Sequence, residues 1–483
     1  MLNRGIIWLA VILRAGLYVF LHFSMGIAVS GSGLIGKRGG DTTSYFDGIE
    51  NLLTHGHYTH ILGHLPAYAG RMPGYGAVYY VFRLVLSPLQ AYDGMVLAQM
   101  ALALVSLYYL AKLTYLLTQQ RRLAYVVVML YAISPYGAQP DLFLLTESFA
   151  ASSLIIGTYY CILGSNTLSK RHLLAAGGWL AWLVFLRPYM APLLGIWPII
   201  YVYQSCWKQA LNWRKLWLGS LLLVPFVMAD SAWTARNWLV CRQFIPLQTA
   251  YAGIPFPADY LEARRFAAAL GEDPVEWSTS SLMSWLIRPT STAVPQPWQL
   301  TQQGTYDSLL WVRQQLQATP PEAQVPANPH SMGSQQAAAA LRRFHDAVVQ
   351  EKPFLYYIVA PLRLMYYLVL TGGGTSIFAW PFGELALWQK AIRLFFTGTH
   401  WVLMGASLCT YLWWPRRTPV GWLLVRLPPI FLILLFVVVL RYVEARYFIV
   451  VYPLALLSGV AGLGQLAERV TARFQPRTKQ PQL

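Results

Sequence analysis

The stretch from Gly39 to Tyr75, GGDTTSYFDGIENLLTHGHYTHILGHLPAYAGRMPGY, decides how the rest of this sequence is interpreted. It is polar, rich in histidine and interrupted by glycine and proline, and it follows the first strongly apolar segment of the chain. In an apolar chain, a long polar excursion carries function more often than it simply connects helices. We therefore expect this stretch to form a working surface beside a membrane.

The composition is that of an integral membrane protein. Of the 483 residues, 56% are hydrophobic and 11% are charged, whereas soluble globular proteins carry about 25% charged residues. Many apolar runs approach the ~20 residues that a helix needs to cross a bilayer. The first run, 6–29, is not followed by a small-residue cleavage site, so we interpret it as a retained span rather than a signal peptide.

We predict an all-α polytopic membrane protein with about ten transmembrane helices, outer-face juxtamembrane helices and a modest extracytoplasmic segment. The run 173–205 is divided into two spans, because a single helix would be ~50 Å long and Arg187-Pro188 lies in its middle. A charge and a helix-breaking proline both favour a turn at that point. The predicted spans are 6–29, 92–117, 123–139, 147–165, 173–186, 189–205, 216–236, 395–413, 421–440 and 447–465.

The basic residues orient these spans. Lysine and arginine number 36 against 19 acidic residues, a net charge of +17, and much of the excess lies in short loops and in the tail. A cytoplasmic N-terminus puts these basic loops inside, as the positive-inside rule requires. Their charge is then explained by topology and anionic lipid, and no nucleic-acid partner is predicted. If 354–370 crossed the membrane, Arg416-Arg417 would lie outside, so we expect that helix to lie in the outer interface.

This topology predicts four parts. Residues 1–236 form an N-terminal transmembrane catalytic module that includes a first outer loop, 30–91. Residues 237–394 form an extracytoplasmic segment of a few surface helices, with the interfacial helix 354–370 and without a large core of its own. Residues 395–470 supply the C-terminal transmembrane helices, and 471–483 form a basic cytoplasmic tail.

Five arginines break the positive-inside rule, because they fall at or near the outer ends of predicted spans. The planar guanidinium group suits phosphate oxygens, so a lipid-linked phosphate at the outer surface would need such an arrangement. Snorkelling to the interface or pairing with local carboxylates is the alternative for each residue. As a group they favour a phosphate site. The five are Arg71, Arg187, Arg236, Arg441 and Arg446.

Carboxylates are scarce, and those near the outer face are candidates for acid–base chemistry. Asp41 could cap a helix that begins at Thr42, and Glu147 could complement the dipole of the helix that it begins. The functional alternative makes one of them a general base and the other its orienter. The outer carboxylates are Asp41, Asp47, Glu50, Asp141, Glu147, Asp230 and Glu444.

The histidine cluster and the cysteines indicate no cofactor. His55, His57, His60 and His64 lie within ten residues, but no acidic residue completes an HExxH pattern. Loop or interface histidines are therefore the expected interpretation. The four cysteines are scattered and predict neither a disulfide framework nor a metal cluster. We predict no tightly bound cofactor and leave a divalent metal open.

A series of landmarks occurs in a fixed order along the chain. The landmarks are Asp41 followed by Tyr45, Arg71-Met-Pro-Gly-Tyr75, Thr146-Glu147, Arg187-Pro188, Arg236-Asn237, Glu444-Ala-Arg446-Tyr447, and Pro453 before a glycine-rich span. Together they resemble the GT-C superfamily of membrane glycosyltransferases, in particular the group of protein O-mannosyltransferases and the lipid A aminoarabinose transferase. Many members of that group have two adjacent acidic residues where this chain has Asp41-Thr42, and a lysine in the region of Arg71.

The resemblance implies a sugar donor on a polyprenyl phosphate, an acceptor hydroxyl on a lipid, glycan or protein, and inversion at the anomeric carbon. It implies an inner (plasma) membrane enzyme whose site faces the periplasm or exterior. A transporter or flippase, and a polymerase or ligase of lipid-linked saccharides, are the alternatives. The implied roles are general base for Asp41 with Glu147 assisting, donor-phosphate binding for Arg71, Arg187 and Arg446, and substrate binding for Tyr45, Tyr75, Glu444 and Tyr447.

Overall fold

The computed structural model describes residues 2–25, 35–60, 67–207, 213–249, 257–272, 281–289, 291, 294–318, 335–374, 377–378, 380–412 and 420–474. Within these ranges the secondary structure consists of helices joined by turns and loops, with one β-bridge between Lys37 and Phe143. The helices are α1 Arg4–Ser24, α2 Thr42–His55, α3 Gly76–Arg83, α4 Pro88–Thr118, α5 Arg121–Ile133, α6 Pro135–Ala138, α7 Glu147–Thr167, α8 Lys170–Leu186, α9 Ala191–Trp207, α10 Trp213–Ser220, α11 Val224–Cys241, α12 Ala258–Ala269, α13 Leu282–Ile287, α14 Tyr306–Ala318, α15 Gln335–Glu351, α16 Ala360–Met365, α17 Leu387–Leu412, α18 Val420–Ile433, α19 Ala445–Ile449 and α20 Tyr452–Phe474.

Several of these helices can cross a bilayer. In the described part of the chain, four helices are long and apolar enough: Arg4–Ser24, Pro88–Thr118, Glu147–Thr167 and Gly421–Val439. The last of these is α18 together with its π-helical continuation, Leu434–Val439. A fifth candidate joins Gln335–Glu351 to Leu355–Leu370 across a bend of 100°. The all-α polytopic class is therefore confirmed, while the count of ten spans and the outer position of 354–370 stay predictions. His64, Arg416-Arg417 and the tail beyond 474 lie outside the described residues.

Helix α7 forms the centre of the membrane part and packs against α4 and α8. Its first turns are rich in small residues, and the side chains on all sides of the helix are buried there. A Cβ on Gly157 would come within 2.9 Å of Leu180, and one on Gly164 within 2.9 Å of Leu173. Small residues are what allow two membrane helices to approach this closely, so this sequence fixes α7 and α8 side by side.

The predicted break at Arg187-Pro188 is confirmed. Helix α8 ends at Leu186, a short 3-10 turn covers Pro188–Met190, and α9 begins at Ala191. Proline has no amide hydrogen for the helix ladder and its ring clashes with the preceding turn. The break leaves Arg187 at the end of α8, where its side chain can turn into the protein.

The segment between α11 and α16 has a small hydrophobic core of its own, which the sequence analysis did not predict. Helix α15 supplies a stripe at helical spacing, including Ala337, Leu341, Phe344 and Val348, which packs against α12 and α14. Because alanine is only weakly hydrophobic, the alanine-rich sequence of α15 looks like that of an exposed polar helix. Close helix packing makes it a core face instead.

Candidate active site

The polar stretch after α1 is joined to the turn before α7 by backbone pairing. The Lys37 amide donates to the Leu142 carbonyl at 2.9 Å, and the Leu144 amide donates to the Lys37 carbonyl at 2.9 Å. The Thr42 hydroxyl then donates to the Leu144 carbonyl at 3.0 Å. These bonds bring the start of α2 beside the start of α7, and with them Asp41 and Glu147.

Asp41 stands at the N-terminus of α2, but its side chain does not cap that helix. Its Oδ2 instead accepts a hydrogen bond of 2.6 Å from Nη2 of Arg446. Nη2 of Arg71 lies 3.9 Å from its Oδ1. The helix start predicted at Thr42 is confirmed, and the carboxylate itself is held between two arginines from distant parts of the chain.

Arg446 lies in α19 and connects the three carboxylates of the site. Its Nε donates to Glu444, and it lies 3.9 Å from Oε1 of Glu147. Glu444 also accepts hydrogen bonds from the hydroxyls of Tyr442 and Tyr447, the latter at 3.0 Å. The guanidinium group is therefore anchored from one side by Glu444 and faces Asp41 on the other.

Glu147 and Arg187 form the buried part of the site. Oε1 of Glu147 lies 2.5 Å from Nη2 of Arg187, and the two side chains are 1% and 6% exposed. Glu147 is the first residue of α7, so its carboxylate also complements the helix dipole. The Nε–H of Arg187 is buried and lacks a hydrogen-bond partner among the described residues, which leaves a donor for an anionic ligand.

The guanidinium group of Arg71 packs against an aromatic ring. Its guanidinium carbon lies 4.5 Å from the centre of the Tyr45 ring, and its Nε donates to the Ser44 hydroxyl at 3.1 Å. Cation–π contact of this kind fixes the plane of the arginine while leaving its outer N–H groups available. Arg71 is thus preorganised toward Asp41 and the neighbouring cavity.

A cavity of about 180 Å³ lies next to these residues. Its wall includes Arg71 and Arg187 together with Tyr45, Tyr75 and Tyr447. Asp41, Arg446 and Glu444 adjoin the wall through their contacts with Arg71 and Tyr447. The hydroxyl of Tyr75 donates to Gln99 at 2.5 Å, so Tyr75 presents its ring rather than its hydroxyl. Thr146, Tyr189 and Gln248 also line the cavity, and the sequence analysis did not identify them as site residues.

An apolar groove of about 600 Å³ shares Phe185 with the cavity wall. It runs between α3, α8 and α11, and its lining includes Ala77, Val81, Phe82 and Trp182. No charged side chain is among its lining residues in the described chain. A polar, arginine-containing cavity therefore adjoins a groove that suits a hydrocarbon chain.

The arginines determine the protonation of Asp41. Burial by itself would raise the pKa of its carboxyl, but the positive charges of Arg446 and Arg71 outweigh burial and hold that pKa below its usual value. The carboxylate is consequently ionised at neutral pH. The nearby Asp47 behaves in the opposite way, because burial raises its pKa to about 6 despite the neighbouring Arg38.

The other arginines and carboxylates singled out in the sequence have structural contacts elsewhere. Arg236 donates to the backbone carbonyls of Tyr58 and Tyr68, and Arg441 donates to that of Tyr356. Of the five arginines singled out in the sequence, Arg71, Arg187 and Arg446 are therefore the ones that converge. Among the carboxylates, Glu50 pairs with Arg83, Asp141 with Arg14, and Asp230 accepts from the Leu247 amide.

A divalent metal stays an open prediction for this site. Within the described chain, no three histidine, cysteine or acidic side chains are grouped as metal ligands. The carboxylates of Asp41, Glu147 and Glu444 each face an arginine guanidinium group. The His60 side chain is buried, and burial together with the positive charge of Arg71 lowers its pKa to about 4.

Arg14 lies at the centre of a buried polar network that the sequence analysis did not predict. It is fully buried within α1 and donates to Asp141 at 2.7 Å and to the carbonyl of Gly137 at 2.5 Å. Asp141 accepts further from Tyr18 and Ser148. This network ties α1 to the turn that precedes Glu147. The signal was present, since a lone charge inside a predicted span is costly without a partner.

Comparison with known proteins identifies the fold. No family model and no curated protein matches this chain. Among solved structures, the Archaeoglobus fulgidus oligosaccharyltransferase, tethered with an acceptor peptide containing the NVT sequon, matches with a TM-score of 0.52 and 10% identity over 97% of this chain and 50% of that chain. Its apo form gives 0.50 and 12%, over 98% and 52%. The chain therefore shares the fold of these oligosaccharyltransferase structures.

The expectation of this fold is thus confirmed, and the likeness shows the fold alone. ArnT from Cupriavidus metallidurans, bound to undecaprenyl phosphate, is also similar, with a TM-score of 0.39 and 12% identity over 100% of this chain and 82% of that chain. This chain spans about half the length of the oligosaccharyltransferase chains that it matches. A likeness at this level of identity shows the fold and leaves the activity to the residues of the site.

Proposed function

We propose that this protein is a glycosyltransferase that moves a sugar from a polyprenyl-phosphate donor to an acceptor hydroxyl at the outer face of the inner (plasma) membrane, with inversion. The observation that carries this proposal is the Asp41 carboxylate held between Arg71 and Arg446, beside a cavity and an apolar groove. A base, a set of phosphate-binding guanidinium groups and a path for a lipid tail are the three parts that such a reaction needs.

The arginines would bind and stabilise the leaving phosphate. As the bond between the sugar and the phosphate oxygen breaks, negative charge grows on the phosphate and the sugar gains oxocarbenium character. Fixed donors aimed at developing charge contribute about 3 kcal/mol each. Arg71 and Arg446 offer N–H groups on the Asp41 side, and Arg187 offers its unpartnered Nε–H from the buried side. Glu147 keeps Arg187 oriented through their ion pair.

Asp41 would accept the proton of the acceptor hydroxyl while that oxygen attacks the anomeric carbon. Its side chain is 36% exposed, which leaves room for an acceptor that approaches from outside. A carboxylate kept ionised by neighbouring arginines is in the correct protonation state for a base. The new glycosidic bond forms on the face opposite the departing phosphate, which gives inversion.

The cavity and groove suit the two ends of the donor. Tyr45, Tyr75 and Tyr447 present aromatic surface in the cavity, where a sugar ring can stack. The apolar groove would take the isoprenoid tail, since burying hydrocarbon against apolar side chains avoids its exposure to water. The two spaces meet at Phe185, so a phosphate at the arginines would have its tail in the groove.

Extraction of lipid that copurifies with the protein tests this function. We expect mass spectrometry to detect a polyprenyl phosphate, with or without an attached sugar, in wild-type protein purified in mild detergent. Arg446→Ala should lose it, whereas Arg265→Ala should retain it, because Arg265 is a surface residue paired only with Glu262. A wild-type preparation that binds no polyprenyl phosphate, and that does not acquire one when it is supplied, would contradict the proposal.

The outer orientation of the site has its own test. Gln303 is exposed on the extracytoplasmic segment, so Gln303→Cys in a cysteine-free background should react with an impermeant maleimide added outside intact cells. Labelling only after the cytoplasmic side is opened would invert the proposed topology.

A further inference from the structure

The six charged residues of the site balance one another. Three carboxylates contact three guanidinium groups, so the cluster is electrically neutral as it stands. An anionic phosphate that enters such a cluster has to compete with a carboxylate for an arginine. The members are Asp41, Glu147, Glu444, Arg71, Arg187 and Arg446.

The three carboxylates differ in how firmly they are held. Glu147 is 1% exposed and paired with the buried Arg187, and Glu444 is 13% exposed and fixed by the hydroxyls of Tyr442 and Tyr447. Asp41 is 36% exposed, and its side-chain contacts in the described chain are with arginines. Asp41 also makes no capping bond to its own helix. Asp41 is therefore the carboxylate that an incoming anion can displace.

We propose that the Asp41 carboxylate is an internal counter-anion that occupies the donor-phosphate position between Arg71 and Arg446, and that the arriving phosphate displaces it and so releases the base. This inference rests on the proposed function and adds the location of the phosphate and the order of events. The phosphate takes over the N–H donors of Arg71 and Arg446. The freed carboxylate turns toward the acceptor.

Displacement also changes the strength of the base. In the resting site the charges of Arg446, Arg71 and, at longer range, Arg187 hold the pKa of Asp41 below its usual value against the opposing effect of burial. Once a phosphate neutralises those arginines, burial and the new negative charge both raise that pKa. Glu147 and Glu444 face Asp41 only across Arg446. Asp41 thus becomes a stronger base only when the donor is bound.

Binding of farnesyl phosphate, measured by calorimetry in detergent, tests this displacement. Removing the counter-anion removes a competitor, so Asp41→Asn should bind farnesyl phosphate about tenfold more tightly than wild type, the effect of one charge-assisted contact. Glu444→Gln removes the same charge from the same arginine, but it takes away an anchor rather than a competitor, so it should not tighten binding. Farnesol should show no difference among the variants, which controls for partition into the groove and the micelle.

The outcomes separate the inference from the proposed function. Unchanged or weaker binding by a folded Asp41→Asn protein would overturn the displacement, and so would equal tightening by Asp41→Asn and Glu444→Gln, which would indicate a general charge effect. Sugar transfer is measured separately. An Asp41→Asn protein that binds tightly and still transfers sugar would leave the counter-anion intact and remove Asp41 as the base. An Asp41→Asn protein that is inactive but does not bind more tightly would keep Asp41 as the base and overturn the displacement.

The pH dependence of turnover gives an independent check. The acid limb of kcat/KM reports the pKa of the base in the free enzyme, and the acid limb of kcat reports it in the bound complex. We expect the limb for kcat to lie at higher pH than the limb for kcat/KM, because the bound phosphate takes the arginines away from Asp41. Coincident limbs, or the opposite order, would overturn the displacement.

Discussion

Nη2 of Arg446 donates a 2.6 Å hydrogen bond to Oδ2 of Asp41, although 405 positions separate the two residues in the chain. The contact joins the first polar loop to the short helix before the last span. It forms because backbone pairing brings Asp41 beside α7 and because Glu444 orients Arg446 toward it. The catalytic proposal and the further inference both depend on this pair.

Asp41→Asn should reduce the rate of sugar transfer by about 10²- to 10⁴-fold, the usual contribution of a general base. Asparagine keeps the shape of the side chain but cannot take a proton, so the melting temperature should change little. The measurement is a transfer assay with a polyprenyl-phosphate sugar donor. Asp47→Asn is the matched control, since it removes a neighbouring carboxyl that does not contact the arginines of the cluster. Wild-type turnover by Asp41→Asn would exclude Asp41 as the base.

Arg71→Ala and Arg446→Ala should each raise the dissociation constant for farnesyl phosphate by about 10- to 100-fold, because each removes charge-assisted contacts to the phosphate. The effect of Arg446→Ala should be larger, because Arg446 lies against all three carboxylates of the cluster, whereas Arg71 lies beside Asp41. Arg265→Ala should bind as wild type does. If both site variants kept wild-type affinity, the phosphate would have to bind elsewhere.

Glu147→Gln should destabilise the protein strongly, because it leaves the buried Arg187 without its counter-charge. Removing one member of a buried ion pair costs about 3–5 kcal/mol. The double variant Glu147→Gln/Arg187→Met should recover much of that stability without recovering transfer activity. Thermal unfolding in detergent measures the coupling. A single variant with wild-type melting temperature would show that the pair has no structural role.

Asp47 should make the stability of the protein depend on pH. Its pKa is raised to about 6 in the folded protein, against about 3.9 in the unfolded chain. The folded state therefore binds this proton more readily, so the contribution of Asp47 to stability is fully present below about pH 3.9 and is lost as pH rises through about 6. Asp47→Asn should raise the melting temperature at pH 7.5 and flatten its dependence between pH 4 and 6. An unchanged pH profile would contradict this.

The sequence predicted the fold and many members of the site for physical reasons that apply to membrane chains generally. Long apolar runs and the Arg187-Pro188 break restrict where the membrane helices can begin and end. Arginines on the wrong side of the positive-inside pattern stood out as needing partners. That Arg236 and Arg441 bind backbone carbonyls instead could not be foreseen, because spacing along the chain does not reveal which loops lie within reach of a side chain.

Two features depended on tertiary contacts. The capping position of Asp41 and its pairing with Arg446 are equally compatible with the local sequence, and only the approach of α19 decides between them. The small core around Phe266 and Phe344 arises from alanine-rich helices that are indistinguishable from surface helices until they pack. Arg14, a lone charge inside an apolar run, could have been recognised as needing a partner. That partner, Asp141, was among the carboxylates assigned to the outer face.

A cryo-EM structure of the wild-type protein with farnesyl phosphate would test the central claim most directly. We predict density for the phosphate within hydrogen-bonding distance of both Arg71 and Arg446, with the isoprenoid chain in the groove at Phe185 and the Asp41 carboxylate turned away from Arg446. A phosphate bound at another site, with Asp41 still bonded to Arg446, would contradict the account.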